Sequence, residues 1–262
     1  MFDKSLLEGK RILVTGGGSG LGKEMSKHFL TYGAEVIICG RRDEVLQKAA
    51  KELADETKGK VTAHSLDIRD SLAIEETINN VFDEGPLDGL VNNAAGNFIS
   101  RTNDLSPNGF NAIASIVFHG TFNMTNTVGK KWIELKQPGT ILSITTTWVW
   151  TGSPFVVPSA MSKSGINAMT KSLAVEWGPH NIRLNCIAPG PFPTEGAWSR
   201  LSPDTEATEG AMDQSSMSSN PMGRVGEMNE LGNLATFLMA DGCDYLTCLL
   251  YTSDAADEVL GV

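Results

Sequence analysis

The chain has 262 residues, 41% of them hydrophobic and 20% charged, a balance that excludes a disordered or fibrous protein and allows a sizeable core. With 21 Lys and Arg against 31 Asp and Glu the formal net charge is −10, which leaves no basic footprint for nucleic acid. No apolar run reaches the roughly 18–20 residues that span a bilayer, and the charged N-terminus is unlike a signal peptide, so no membrane contact and a cytoplasmic setting are expected. Cys39, Cys186, Cys243 and Cys248 lack metal or CxxC spacing, so no metal is expected and Cys39 and Cys186 read as reduced core thiols.

The first strand reads as Arg11 to Thr15. Directly after it, Thr15-Gly16-Gly17-Gly18-Ser19-Gly20-Leu21-Gly22 opens a helix. Glycine permits the tight turn and lets a pyrophosphate approach the backbone, and the helix N-terminus offers unpaired N–H groups to the anion. Gly16, Gly18, Ser19, Gly20, Leu21 and Gly22 are therefore expected to hold a nucleotide, in a GxxxGxG spacing rather than GxGxxG. A second strand, Glu35 to Cys39, ends at Gly40-Arg41-Arg42. A cofactor lacking a 2′-phosphate meets a carboxylate about twenty residues past the glycines. Arg41 and Arg42 stand there instead and suit a phosphate, so NADP(H) is the expected cofactor.

Val61 to Ser65 reads as the third strand and Asp88 to Asn92 as the fourth. The fourth runs into Asn93-Ala94-Ala95-Gly96, where Asn93 and Gly96 suit a backbone passing close to a ribose. Ser106-Pro107 reads as an N-cap followed by proline at the first helical position. That helix carries His119 within the stripe Ile113, Val117, Gly120, Met124, Val128 and Trp132. Thr140 to Thr145 is a fifth strand, and Ile166, Met169, Leu173 and Trp177 mark the helix that carries Lys163. The sixth strand, Ile182 to Ala188, ends at Pro189-Gly190-Pro191, which with Thr194 is placed to hold a nicotinamide amide. Residues 191–221, rich in Pro, Ser, Glu and Met, read as a substrate-covering loop. Strands alternating with helices imply a parallel sheet with helices on both faces, and such sheets bind ligands beyond the carboxyl ends of their strands.

In order, the glycine turn, Asp67 after the third strand, NNAAG, Lys163 and the Pro-Gly turn resemble the short-chain dehydrogenase/reductase family over roughly residues 8–246. The resemblance implies one Rossmann-type α/β domain over 1–247, a doubly wound parallel sheet in three α/β/α layers. It also implies that Asp67 contacts adenine and that Lys163 holds the nicotinamide ribose while lowering the pKa of a tyrosine four residues earlier. Here that position is Ser159, whereas Thr146 keeps a hydroxyl at the family's catalytic serine. A serine hydroxyl is far too weak an acid to protonate an alkoxide, so ordinary ketone chemistry is disfavoured.

Serine there, preceded by Gly152 to Pro158, together with NAAGNFI at 93–99 and GPFPTEGAWSRL at 190–201, resembles the 2,4-dienoyl-CoA reductase branch. That branch adds hydride to a conjugated thioester as an auxiliary step of fatty-acid β-oxidation. The resulting dienolate needs hydrogen-bond donors more than an acid. His119 and Trp148 stand where the branch's asparagine and tyrosine donors are expected, and both retain an N–H. The resemblance further implies an acyl-CoA substrate, with Arg69 and Arg200 as candidates for its phosphates, and a homotetramer or dimer built on helices around 110–132 and 160–177. A carbonyl reductase with an unusual proton donor and an inactive nucleotide-binding relative are the alternatives. Residues 248–262 depart from the family's usual ending. They read either as non-native sequence that leaves the sheet edge unprotected or as an unusual terminus in which Leu249 to Thr252 pairs as a strand.

Overall fold

A computed structural model describes residues 2–194 and 222–253. Seven parallel strands make one sheet in the order β3-β2-β1-β4-β5-β6-β7. They are β1 (Arg11–Thr15), β2 (Glu35–Gly40), β3 (Val61–Ser65), β4 (Gly89–Asn92), β5 (Gly139–Ile144), β6 (Ile182–Pro189) and β7 (Leu250–Ser253). The strands from β1, β4, β5 and β6 are buried almost throughout, as apolar runs covered on both faces require. Alternation does the sorting. Ile12 and Val14 join one core with Phe29 and Leu238, whereas Leu13 joins the other with Trp132 and Leu90. Sheet order reverses between β1 and β4, so the crevice above those two strands is the switch point where such sheets take ligands.

Helices α1 (Gly20–Thr31), α2 (Asp43–Thr57) and α3 (Ser71–Asp83) follow the first three strands. Asp70 caps α3 by accepting from the backbone N–H groups of Leu72 and Ala73. The expected start at Ser106-Pro107 is observed: the Ser106 hydroxyl accepts from Gly109 N at 3.0 Å and opens α4 (Pro107–Ala114). Between α4 and α5 (Thr121–Leu135) the rod widens into a π turn over Ser115–Gly120, which the regular spacing of its apolar stripe does not foretell.

A short helix, α6 (Trp148–Thr151), leads to α7 (Val157–Trp177), and α8 (Met228–Met239) packs on α1. The buried face of α7 contains the expected apolar stripe and is wider than it. Ser159, Ser162, Lys163, Ile166, Thr170, Ala174 and Trp177 are buried, and Met169 and Leu173 flank them. Small and polar residues let the helix lie close to the sheet while bringing Ser159 and Lys163 inward. β7 pairs along β6 from Cys186↔Leu250 to Pro189↔Ser253, starting one residue beyond the expected Leu249. Cys39 and Cys186 are free and buried, and among the described residues no helix is long and apolar enough to cross a membrane.

Candidate active site

A cleft of about 250 Å³ opens at the carboxyl ends of β1, β2 and β4. Gly16, Gly18 and Ser19 form one wall, Gly40, Arg41 and Arg42 a second, and Asp67, Asn93, Ala94 and Ile116 close it. Residues scattered from 16 to 116 in the sequence thus meet in one place.

The glycine turn is shaped for close approach. Gly16 and Gly20 hold φ of +67° and +52°, conformations that L side chains resist. At Gly22 a Cβ would lie 2.4 Å from the Gly16 carbonyl oxygen and 2.5 Å from Asn93 Nδ2, so the start of α1 can pack on the turn only without a side chain. Leu21 sits between these glycines in the first turn of α1, partly buried against the core. The bare backbone facing the cleft therefore fits a dinucleotide pyrophosphate.

Asn93 has a more definite place than the sequence indicates. Its Nδ2 donates to the Thr15 carbonyl at 3.0 Å, and its backbone N–H donates to Thr15 Oγ1 at 2.9 Å. Thr15 Oγ1 in turn donates to Val91 O at 3.2 Å. Asn93 is thus a strut between β4 and the glycine turn. Gly96 faces Ile116, whose side chain lines the cleft.

At the other end, the side chain of Thr194 lies 3.6 Å from the point where a Gly20 Cβ would stand. Pro189 ends β6, and Gly190 N donates to Ser253 O at 3.1 Å. The Pro-Gly turn is therefore fastened to the edge strand beside the opening of α1. Arg200, most of the expected 191–221 loop and residues 254–262 of the tail lie outside the described residues.

Lys163 is buried on α7, and its ammonium donates to the Ile144 carbonyl at the end of β5. Burial brings its pKa down from the usual 10.5 to about 8. Ser159 is buried one helical turn earlier. Thr146 and Trp148 are half-buried on the segment that leaves β5, which places both hydroxyls and the indole around the end of the same strand.

His119 lies on the π turn between α4 and α5. Val117 and Gly120 are the inward positions of the π turn, whereas Phe118 and His119 are exposed and meet edge to face at 5.4 Å between ring centroids. The Phe118 ring rests on Gly165 of α7, two residues beyond Lys163. Arg69 is committed to a neighbour, pairing with Asp67. Its guanidinium holds the Asp67 carboxyl below the usual carboxylate range.

Asn97 is a residue the sequence reading passed over. It is half-buried directly after the cleft-lining loop, and its Oδ1 accepts from Phe98 N at 3.0 Å.

Residues 10–204 match the family described as short chain dehydrogenase, and the chain belongs to that family of nicotinamide-dependent oxidoreductases. It is 40% identical over 255 residues to a Caenorhabditis elegans protein named probable 2,4-dienoyl-CoA reductase 3, (3E)-enoyl-CoA-producing, covering 96% of this chain and 81% of that one. It is 39% identical over 250 residues to a Bacillus subtilis protein named probable 2,4-dienoyl-CoA reductase, (2E)-enoyl-CoA-producing, covering 95% of this chain and 96% of that one. A crystal structure of a short chain dehydrogenase from Bacillus anthracis superposes with a TM-score of 0.84 at 38% identity, covering 95% of this chain and 96% of the other.

Proposed function

We propose that the protein reduces the conjugated C=C bond of a 2,4-dienoyl-CoA thioester with NADPH, an auxiliary step in fatty-acid β-oxidation. The observation that carries this reading is the buried Ser159 one turn before the buried Lys163, where a ketone-reducing site needs a phenol. The names of the relatives point the same way.

A bound nicotinamide supplies the hydride. Gly16, Gly18, Ser19, Gly20, Leu21 and Gly22 would cradle its pyrophosphate, Arg41 and Arg42 the 2′-phosphate, and Asp67 the adenine. Asn93 and Gly96 would line the ribose, and Pro189, Gly190 and Thr194 would hold the amide. Lys163 would hold the nicotinamide ribose with the ammonium that Ile144 orients. Hydride addition to the far end of the dienoyl system places negative charge on the thioester oxygen, and fixed N–H donors stabilise it.

We assign those donors to the Trp148 indole N–H and the Asn97 amide, with Ser159 and Thr146 supplying hydroxyls nearby. In this reading Asn97 takes the role the sequence suggested for His119, whose ring is exposed on the π turn beside Phe118. Water can then protonate carbon, so no strong acid is needed in the site. Exposed Phe118, Phe122, Met161 and Val175 on α5, α7 and the π turn support a homo-oligomer formed through these helices.

The deciding experiment follows NADPH oxidation with a short 2,4-dienoyl-CoA and with a panel of ketones and aldehydes. Turnover with the thioester alone is expected. Faster turnover of ketones would replace this reading with a carbonyl reductase, and tight NADPH binding without turnover would make the protein a non-catalytic relative.

A further inference from the structure

Arg69 and Asp67 stand two residues apart in the loop after β3, and the guanidinium closes fully on the carboxylate. Arg69 Nε donates to Oδ1 at 2.9 Å and to Oδ2 at 3.0 Å, Nη2 donates to Oδ2 at 2.5 Å, and the Arg69 backbone N–H donates to Oδ1 at 3.0 Å. Asp67 lines the same cleft as Arg41 and Arg42, and Arg41 is near enough to act on its charge. A bare carboxylate at that spot would repel a 2′-phosphate and draw Arg41 onto itself.

We propose that Arg69 is a specificity-determining residue that acts through Asp67: by tying up that carboxylate it leaves Arg41 and Arg42 to select a cofactor bearing a 2′-phosphate. The inference rests on the NADP(H) reading given above. It also moves Arg69 away from the acyl-CoA phosphates. Without Arg69, the cleft end drops from two net positive charges to one, and the lost charge is the one that quiets Asp67. Adenine is common to both cofactors, so their affinity ratio isolates the phosphate from any general loosening of the loop.

Calorimetric titration of NADPH and NADH into the parent, Arg69→Gln and Asp67→Asn/Arg69→Gln tests this. The Arg69 side chain is 44% exposed, so the exchange leaves the packed core untouched, and thermal melting checks that it does. The parent is expected to prefer NADPH. Arg69→Gln should weaken NADPH about tenfold and NADH about twofold or less, and the double variant should recover most of the preference. An unchanged ratio in Arg69→Gln, or no recovery in the double variant, overturns the proposal. So does a higher KM for the acyl-CoA at an unchanged ratio, which would make Arg69 a substrate anchor. A parent that binds NADH as tightly as NADPH instead fells the cofactor reading itself, and this inference with it.

Discussion

The Lys163 ammonium is fastened to the Ile144 carbonyl, so the last residue of β5 aims the only buried lysine of the described chain. That bond ties the charge on α7 to the end of the sheet. It leaves the remaining N–H groups of the ammonium for a ligand.

Burial lowers the Lys163 pKa to about 8, which gives a pH dependence of definite sign. In the proposed mechanism the ammonium is the active form, so kcat/KM should fall as pH rises through about 8. Lys163→Met should lower kcat/KM by at least about a hundredfold and remove that limb of the profile. Stability moves the other way. Between about 8 and 10.5 the unfolded chain binds the proton that the folded chain has released, so the penalty from Lys163 is full below about 8 and fades towards 10.5. A flat profile up to pH 9 in the parent would remove Lys163 from the rate-determining chemistry.

Asn97 and His119 make opposite forecasts. Asn97→Ala removes a fixed donor and should cut kcat by about 10² with little change in NADPH affinity. His119→Ala removes an exposed ring beside Phe118 and, with Asn97 as the donor, should leave kcat within about twofold. Steady-state rates with a dienoyl-CoA decide, and a large loss in the histidine variant alone would return that residue to the site.

Gly22→Ala should disable the cofactor cradle. The added methyl meets the Gly16 carbonyl and the Asn93 amide, neither of which can withdraw without opening the turn. A stability loss of about 1–3 kcal/mol is expected together with much weaker NADPH binding. Melting curves with and without NADPH measure both effects, and a variant that binds as the parent does would show that the turn is looser than drawn.

Trp132 offers a control far from the chemistry. It is fully buried, its Nε1 donates to the Leu87 carbonyl at 2.5 Å, and its ring covers Gly139 at the opposite ends of β4 and β5. Trp132→Phe should cost about 2 kcal/mol and lower Tm by about 5 °C. Cofactor affinity should not change, because the cleft lies at the carboxyl ends of the strands.

The fold was readable because parallel strands buried on both faces must be short apolar runs, and β1 to β6 appear in the sequence within a residue or two of their observed limits. β7 was not. Leu250-Tyr251-Thr252-Ser253 has no distinctive pattern, and its pairing depends on the neighbouring edge of β6. The π turn was hidden for a related reason: Ile113, Val117, Gly120 and Met124 keep a helical spacing across it. In the site, the glycines and the two arginines were evident because spacing after a strand fixes their position. The Asp67–Arg69 pair and the amide of Asn97 were not, since both depend on how a loop folds back upon itself.

The widened turn at Ser115–Gly120 divides one continuous rod into two halves that answer to different neighbours. Taking out a single residue there would restore ordinary winding and swing everything before it by about 100° around the axis. Ile116 would leave the cofactor crevice and Ile113 would leave the interior, while α5 would keep its seat on the sheet. The spare residue acts as a phase adjuster between a half anchored in the core and a half that shapes the ligand's surroundings.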